Sequence, residues 1–132
     1  MKKSILIIGG TGFLGYHLAK KCLLKKWNVT SISTNRPKKI RFLPKVKYII
    51  LDITKKKLLL KKIKSNYDYV VNFGGYVNHN EKLKTYKSHY LGCKNLADLF
   101  KNKNIKSFIQ IGSSVEYGNI KSDKTFHFPI PF

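Results

Sequence analysis

Ser4-Ile5-Leu6-Ile7-Ile8 runs straight into Gly9-Gly10-Thr11-Gly12-Phe13-Leu14-Gly15. A short apolar run bounded by glycines reads as a strand buried on both faces. Beyond it, Leu14, Leu18 and Cys22 recur every four residues, with Leu23 alongside. That period is helical, so Phe13 to Lys26 is predicted as a helix packing one face on a sheet. Gly9, Gly12 and Gly15 have the spacing Gly-x-x-Gly-x-x-Gly, and each has a task in a strand-to-helix turn. Gly9 would permit the tight turn, Gly12 would let the backbone approach a pyrophosphate with no Cβ in the way, and Gly15 would let the helix lie close to the sheet. The free N–H groups at the helix start, at the positive end of its dipole, would then hold the anion. Glycine-rich turns also arise for packing alone. The position after a strand and before an amphipathic helix favours a dinucleotide.

Outward from this turn the chain alternates strand and helix. Strands are predicted at Asn28 to Ser33, Val46 to Leu51, Tyr67 to Phe73 and Ser107 to Ile111. Helices are predicted at Thr54 to Ile63, with Leu59, Leu60 and Ile63 as the buried face and Thr54 as a cap, and at Glu81 to Lys103. Tyr86, Tyr90, Cys93, Leu96 and Phe100 would form one stripe of the second. Pro37 keeps the basic loop Asn35-Arg36-Pro37-Lys38-Lys39 out of a helix. Alternation of this kind implies an α/β fold: a Rossmann-like, doubly wound parallel sheet of about five strands in the order 3-2-1-4-5, with helices on both faces. The last strand sits near the end of the chain. The expected sheet is therefore incomplete, and its exposed edge and helix-less face predict marginal stability or association.

The chain has 132 residues, 42% of them apolar, so one small domain with a real core is expected. No apolar run approaches the ~20 residues of a membrane span. The start, Met1-Lys2-Lys3 and an apolar run, ends at glycines without a cleavage pattern, so it reads as a strand rather than a targeting segment. Cys22 and Cys93 fit neither a disulfide framework nor a metal site. A cytoplasmic protein is the expectation. The net charge of +21 comes from 27 basic residues, of which only Arg36 and Arg41 are arginines. Nucleic-acid recognition favours the arginine fork, so no specific nucleic-acid partner is expected. Compositional bias toward lysine is the simpler account, and non-specific, salt-sensitive attraction to polyanions results from it.

The turn Gly-Gly-Thr-Gly-Phe-Leu-Gly resembles that of the extended short-chain dehydrogenases, the NAD-dependent epimerase/dehydratase family. Three further segments agree in order and spacing. Leu51-Asp52-Ile53-Thr54 resembles the family's acidic turn after the third strand. Asp68-Tyr69-Val70-Val71-Asn72-Phe73-Gly74-Gly75 resembles its fourth strand, where many members have His-Leu-Ala-Ala. Phe108-Ile109-Gln110-Ile111-Gly112-Ser113-Ser114-Val115-Glu116-Tyr117-Gly118 resembles its fifth strand and Ser-rich turn.

The resemblance implies site residues. Gly9, Thr11, Gly12 and Gly15 would form the phosphate loop, and Phe13 and Leu14 would cover the pyrophosphate through their backbone amides. Asp52 would accept from the adenine amino group, although the same carboxylate would serve as an N-cap for the next helix. Ile53 would pack on the adenine ring. Phe73, Gly74 and Gly75 would pass under the nicotinamide ribose, and Ser113 would be the catalytic hydroxyl that bonds the substrate oxygen. The cofactor is NAD or NADP. Ser33 stands where an acid would bond the ribose 2′-hydroxyl, and Arg36 lies just beyond it to clamp a 2′-phosphate, so the balance favours NADP.

The family's general acid/base, a Tyr-x-x-x-Lys pair, would lie beyond Phe132. Tyr16–Lys20, Tyr90–Lys94 and Tyr117–Lys121 have the spacing, but eight Tyr in a Lys-rich chain produce such pairs by chance. Tyr117 reads instead as lining a substrate cleft. His89, where the family often has Asn, reads as packing, and Lys26 stands where a helix-ending Gly is common. Residues 1–132 are thus expected to be the cofactor-binding part of a nucleotide-sugar epimerase, dehydratase or reductase. The substrate domain would be absent, the chain inactive alone, and a homodimer open to it. The alternatives are a non-catalytic dinucleotide-binding module and a polyanion-binding basic protein.

Overall fold

The computed structural model describes residues 1–75 and 81–112. Five parallel strands form one sheet in the order β3-β2-β1-β4-β5: β1 (Ser4–Ile8), β2 (Asn28–Ser33), β3 (Val46–Ile50), β4 (Tyr69–Asn72) and β5 (Ser107–Gln110). This is the predicted order. β1 is central because its side chains are apolar on both faces, and alternation sends them to different cores. Leu6 and Ile8 join Ile32, Val70, Leu59, Leu96 and Phe100 on one face. Ile5 and Ile7 join Val29, Val71, Ala19 and Cys22 on the other. Helix α1 (Phe13–Leu24) covers the second face, while α2 (Lys56–Lys62) and α4 (Gly92–Phe100) cover the first.

Among the described residues β5 is an edge strand. Phe108 packs on the first core, whereas Ile109 and Ile111 remain exposed. At the other end of the strands, Ser4 and Asp68 clasp β1 to β4. The Asp68 carboxylate accepts the Ser4 N–H at 2.7 Å and pairs with Lys106 at 3.1 Å. These donors, chiefly the Ser4 N–H and the Lys106 ammonium, hold the Asp68 carboxyl below the usual carboxylate range.

Several local expectations are corrected. In α1 Gly15, Ala19 and Cys22 are buried and Leu18 and Leu23 pack on the second core as expected, but Leu14 is exposed. In α2, Leu59 and Ile63 are buried but Leu60 is exposed. Thr54 does not cap α2, whose N-cap position is Lys55 with no side-chain bond. Instead the Thr54 hydroxyl and N–H both donate to Asp52 Oδ1, at 2.8 and 2.9 Å.

The single long helix predicted from Glu81 is α3 (Lys82–Tyr86), a π-helical turn (Lys87–Leu91) and α4. A π turn carries an extra residue, which rotates the helix before it by about 100° relative to the helix after it. The expected stripe therefore splits. Leu96 and Phe100 are buried, but Tyr86 and Tyr90 stack on each other in solvent, ring centroids 5.2 Å apart.

The end of α1 is better formed than Lys26 suggests. Lys26 takes the left-handed conformation (φ 61°), its N–H bonds Leu23 O at 2.9 Å, and the Trp27 N–H bonds Cys22 O at 3.0 Å. This is a full Schellman stop with lysine in the glycine position.

Candidate dinucleotide site

The chain order reverses at β1, which has β2 on one side and β4 on the other. In open parallel sheets ligands bind outside the carboxyl ends of the strands at such a reversal. A crevice of about 250 Å³ lies there, and Gly9, Thr11, Asp52, Ile53, Phe73, Gly74 and Gly75 all line it. Ser33, Thr34 and Ser88 line it as well, the last from the π-helical turn.

The glycine loop is built as its spacing requires. Gly9 has φ +78°, where a side chain is strained. A Cβ on Gly15 would stand 2.3 Å from Gly9 O and 2.6 Å from Gly10 Cα, so only glycine lets α1 lie on the loop. Gly12 differs: an added Cβ would meet only Gly9 O, at 3.3 Å. That contact is tight but far milder than those at Gly15, and a ligand approaching the backbone would add a second reason for glycine.

The N-terminus of α1 has no side-chain cap. Its first bond is from the Tyr16 N–H to Gly12 O at 3.0 Å, so the N–H groups of Phe13, Leu14 and Gly15 meet no acceptor among the described residues. No acidic side chain lies in the first turn. Free donors at the positive end of a helix suit an anion. The Phe13 and Leu14 side chains are exposed beside them, and the Arg41 guanidinium stands 5.9 Å from the centre of the Phe13 ring.

A model of the NAD dependent epimerase/dehydratase family matches residues 5–130. The chain belongs to this family. Among solved structures, the chain resembles a UDP-galactose 4-epimerase (TM-score 0.78, 17% identity, 90% of this chain and 41% of that one). It also resembles the Bordetella bronchiseptica enzyme WbmG, solved with NAD and UDP (TM-score 0.83, 21% identity, 93% of this chain and 41% of that one). A third is the epimerase Mth375 of Methanothermobacter thermautotrophicus (TM-score 0.83, 17% identity, 96% of this chain and 40% of that one). At these identities the likeness is one of fold, and the chain spans about two-fifths of their length. No curated protein matches it in sequence.

Within this epimerase/dehydratase frame the predicted residues fall into three groups. Gly9 and Thr11 of the glycine loop, Asp52, Ile53 and the strip Phe73-Gly74-Gly75 line one crevice, whereas Gly12, Phe13, Leu14 and Gly15 are not part of its lining. Asp52 spends Oδ1 on the turn that leads to α2, and the tip of Ile53 lies against Gly92, where a Cβ would stand 2.7 Å from Ile53 Cδ1. Arg36 stands apart, in a separate cleft of about 180 Å³ with Pro37, Phe42, Tyr48 and Ile50. The loop β2–β3 folds back through a short 3-10 turn, Lys39–Arg41, which brings Arg41 rather than Arg36 to Phe13. Ser113 and Tyr117 lie outside the described residues. His89, read as packing, lies across Gly75, where a Cβ would stand 2.3 Å from its ring.

Three supporting roles went unread in the sequence. Ser33 donates to Ile32 O at 2.8 Å and accepts the Thr11 N–H at 3.3 Å, tying the glycine loop to β2. Asn95 is buried and donates to Ile53 O and Thr54 O at 2.9 and 3.2 Å, suspending the Asp52 loop from α4. Asn72, fully buried, bonds Gly74 and Gln110. The signal for the two asparagines was a polar side chain inside an otherwise apolar pattern, since buried amides are kept only when bonded.

Proposed function

We propose that this chain binds a nicotinamide dinucleotide across the crevice and is the cofactor-binding part of a nucleotide-sugar epimerase, dehydratase or reductase. The observation that carries the reading is the start of α1, where the N–H groups of Phe13, Leu14 and Gly15, just after Gly12, meet no acceptor among the described residues. The pyrophosphate would sit there. Asp52, Ile53 and the end of β2 would take the adenosine half, and Phe73, Gly74 and Gly75 the other half. The bound nicotinamide supplies hydride transfer, and the chain supplies binding and orientation. Ser113 is the proposed catalytic hydroxyl.

Between the two dinucleotides we favour NADP. Ser33 and Thr34 place no carboxylate at the end of β2 to repel a phosphate, and the loop after them is basic. The chain alone is proposed to be inactive, because the acid/base pair of the resemblance is not among its residues. Calorimetric titration with NAD, NADP and ADP tests the reading. Micromolar to millimolar binding of a dinucleotide supports it, and no binding of any of the three overturns it. Tighter binding of NAD than of NADP overturns the NADP preference alone. Salt-sensitive binding of oligonucleotides that a dinucleotide leaves in place would favour the polyanion reading.

A further inference from the structure

Asn72 ends β4 at full burial, and both ends of its amide are committed. Its Oδ1 accepts the Gly74 N–H at 2.8 Å, and its Nδ2 donates to Gln110 Oε1 at 2.7 Å. Gln110 in turn donates through Nε2 to Ile111 O at 3.0 Å. The Gly74 N–H permits only one orientation of the Asn72 amide, since a flip would set donor against donor. Asn72 and Gln110 are direct partners in the β4–β5 register, so one cross-strand pair joins the strip Phe73-Gly74-Gly75 to the segment after β5. Gly74 has no freedom to swell either: a Cβ there would stand 2.9 Å from both Asn72 Oδ1 and Ile8 Cγ2.

We infer that the Asn72–Gln110 amide pair is a positioning device for the second, non-adenosine half of the dinucleotide. It fixes the backbone on which that half would rest and ties it to the strand that leads toward Ser113. Asn95 does the corresponding work for the adenosine side, holding the carbonyls of Ile53 and Thr54. The two halves of the crevice thus hang from two separate buried amides. This inference rests on the dinucleotide reading.

The test exploits that separation. Gln110→Leu removes the acceptor from an exposed position of β5 and leaves the buried Asn72 Nδ2 without it, and Asn72→Leu removes the whole link. Titrations with NAD, NADP and ADP, beside thermal melts, read each half. Gln110→Leu is expected to weaken the better-bound dinucleotide at least about threefold, as loss of one hydrogen bond would, with ADP affinity unchanged. Asn72→Leu, if folded, is expected to weaken it further in the same selective way. Equal losses for dinucleotide and ADP, or no loss with Gln110→Leu, overturn the inference and leave the dinucleotide site standing. A wild type that binds none of the three ligands overturns the underlying site itself.

Discussion

Asn95 Nδ2, buried in α4, donates to the backbone carbonyl of Ile53 at 2.9 Å, across 42 positions of sequence. The bond holds the loop after β3 against a helix on the same face of the sheet, and so sets one wall of the crevice. Asn95→Leu leaves two carbonyls without this donor. The expected cost is about 1–3 kcal/mol of stability, read by urea denaturation, together with weaker ADP binding. Unchanged ADP affinity in a folded variant would refute the role of this bond in the adenosine wall.

Two glycines of one loop should behave differently. Gly15→Ala drives a Cβ into Gly9 O and Gly10 Cα, and is expected to destabilise the fold. Gly12→Ala, at φ −75°, brings a Cβ to 3.3 Å from Gly9 O, a tight contact, and should cost clearly less stability than Gly15→Ala. Dinucleotide affinity should nevertheless fall tenfold or more, by about 1.4 kcal/mol, because the added methyl occupies the ligand's approach. Gly12→Ala binding as tightly as wild type would sink the phosphate-loop assignment.

Lys26 bears the strain of a left-handed residue at the end of α1. Lys26→Gly should stabilise the chain by about 1 kcal/mol, and Lys26→Ala, which keeps a Cβ, should not. Thermal melts of the pair decide it. Equal stability of the two variants would mean that loss of charge, not backbone strain, is what matters.

Asp68 makes stability pH-dependent in a known direction. Its carboxyl is held low in the folded state, first by the Ser4 N–H and then by Lys106. A depressed carboxylate stabilises the fold above its unfolded pKa of about 4, and that contribution is lost as pH falls through the lower folded value. Asp68→Asn should therefore flatten the acid limb of the melting curve below about pH 4. Parallel acid limbs in the two proteins would exclude Asp68 as a source of that dependence.

Much of the molecule was legible from residue order. Strand positions and the glycine loop are set by periodicity and by where glycine interrupts it, which are local signals, and the sheet order follows from strand–helix alternation with right-handed crossovers. The helix faces were less so. Leu14, Leu60, Tyr86 and Tyr90 have the spacing of buried residues but are exposed. The π turn at Lys87–Leu91 splits the stripe of Tyr86 and Tyr90 from that of Leu96 and Phe100, and a four-residue period does not encode it.

The sequence by itself determined that a strand, a glycine-rich loop and a helix open an alternating α/β chain, because backbone sterics and hydrophobic periodicity act over a few residues. Only the tertiary structure decided which basic side chain stands beside the loop. Arg36 is nearer to β2 in sequence, but the fold-back through Lys39–Arg41 puts Arg41 against Phe13. It also decided that Asn72, Gln110 and Asn95 support the crevice, because their partners lie across strands and faces. Such contacts depend on distance in space, which chain order constrains only once the sheet has formed.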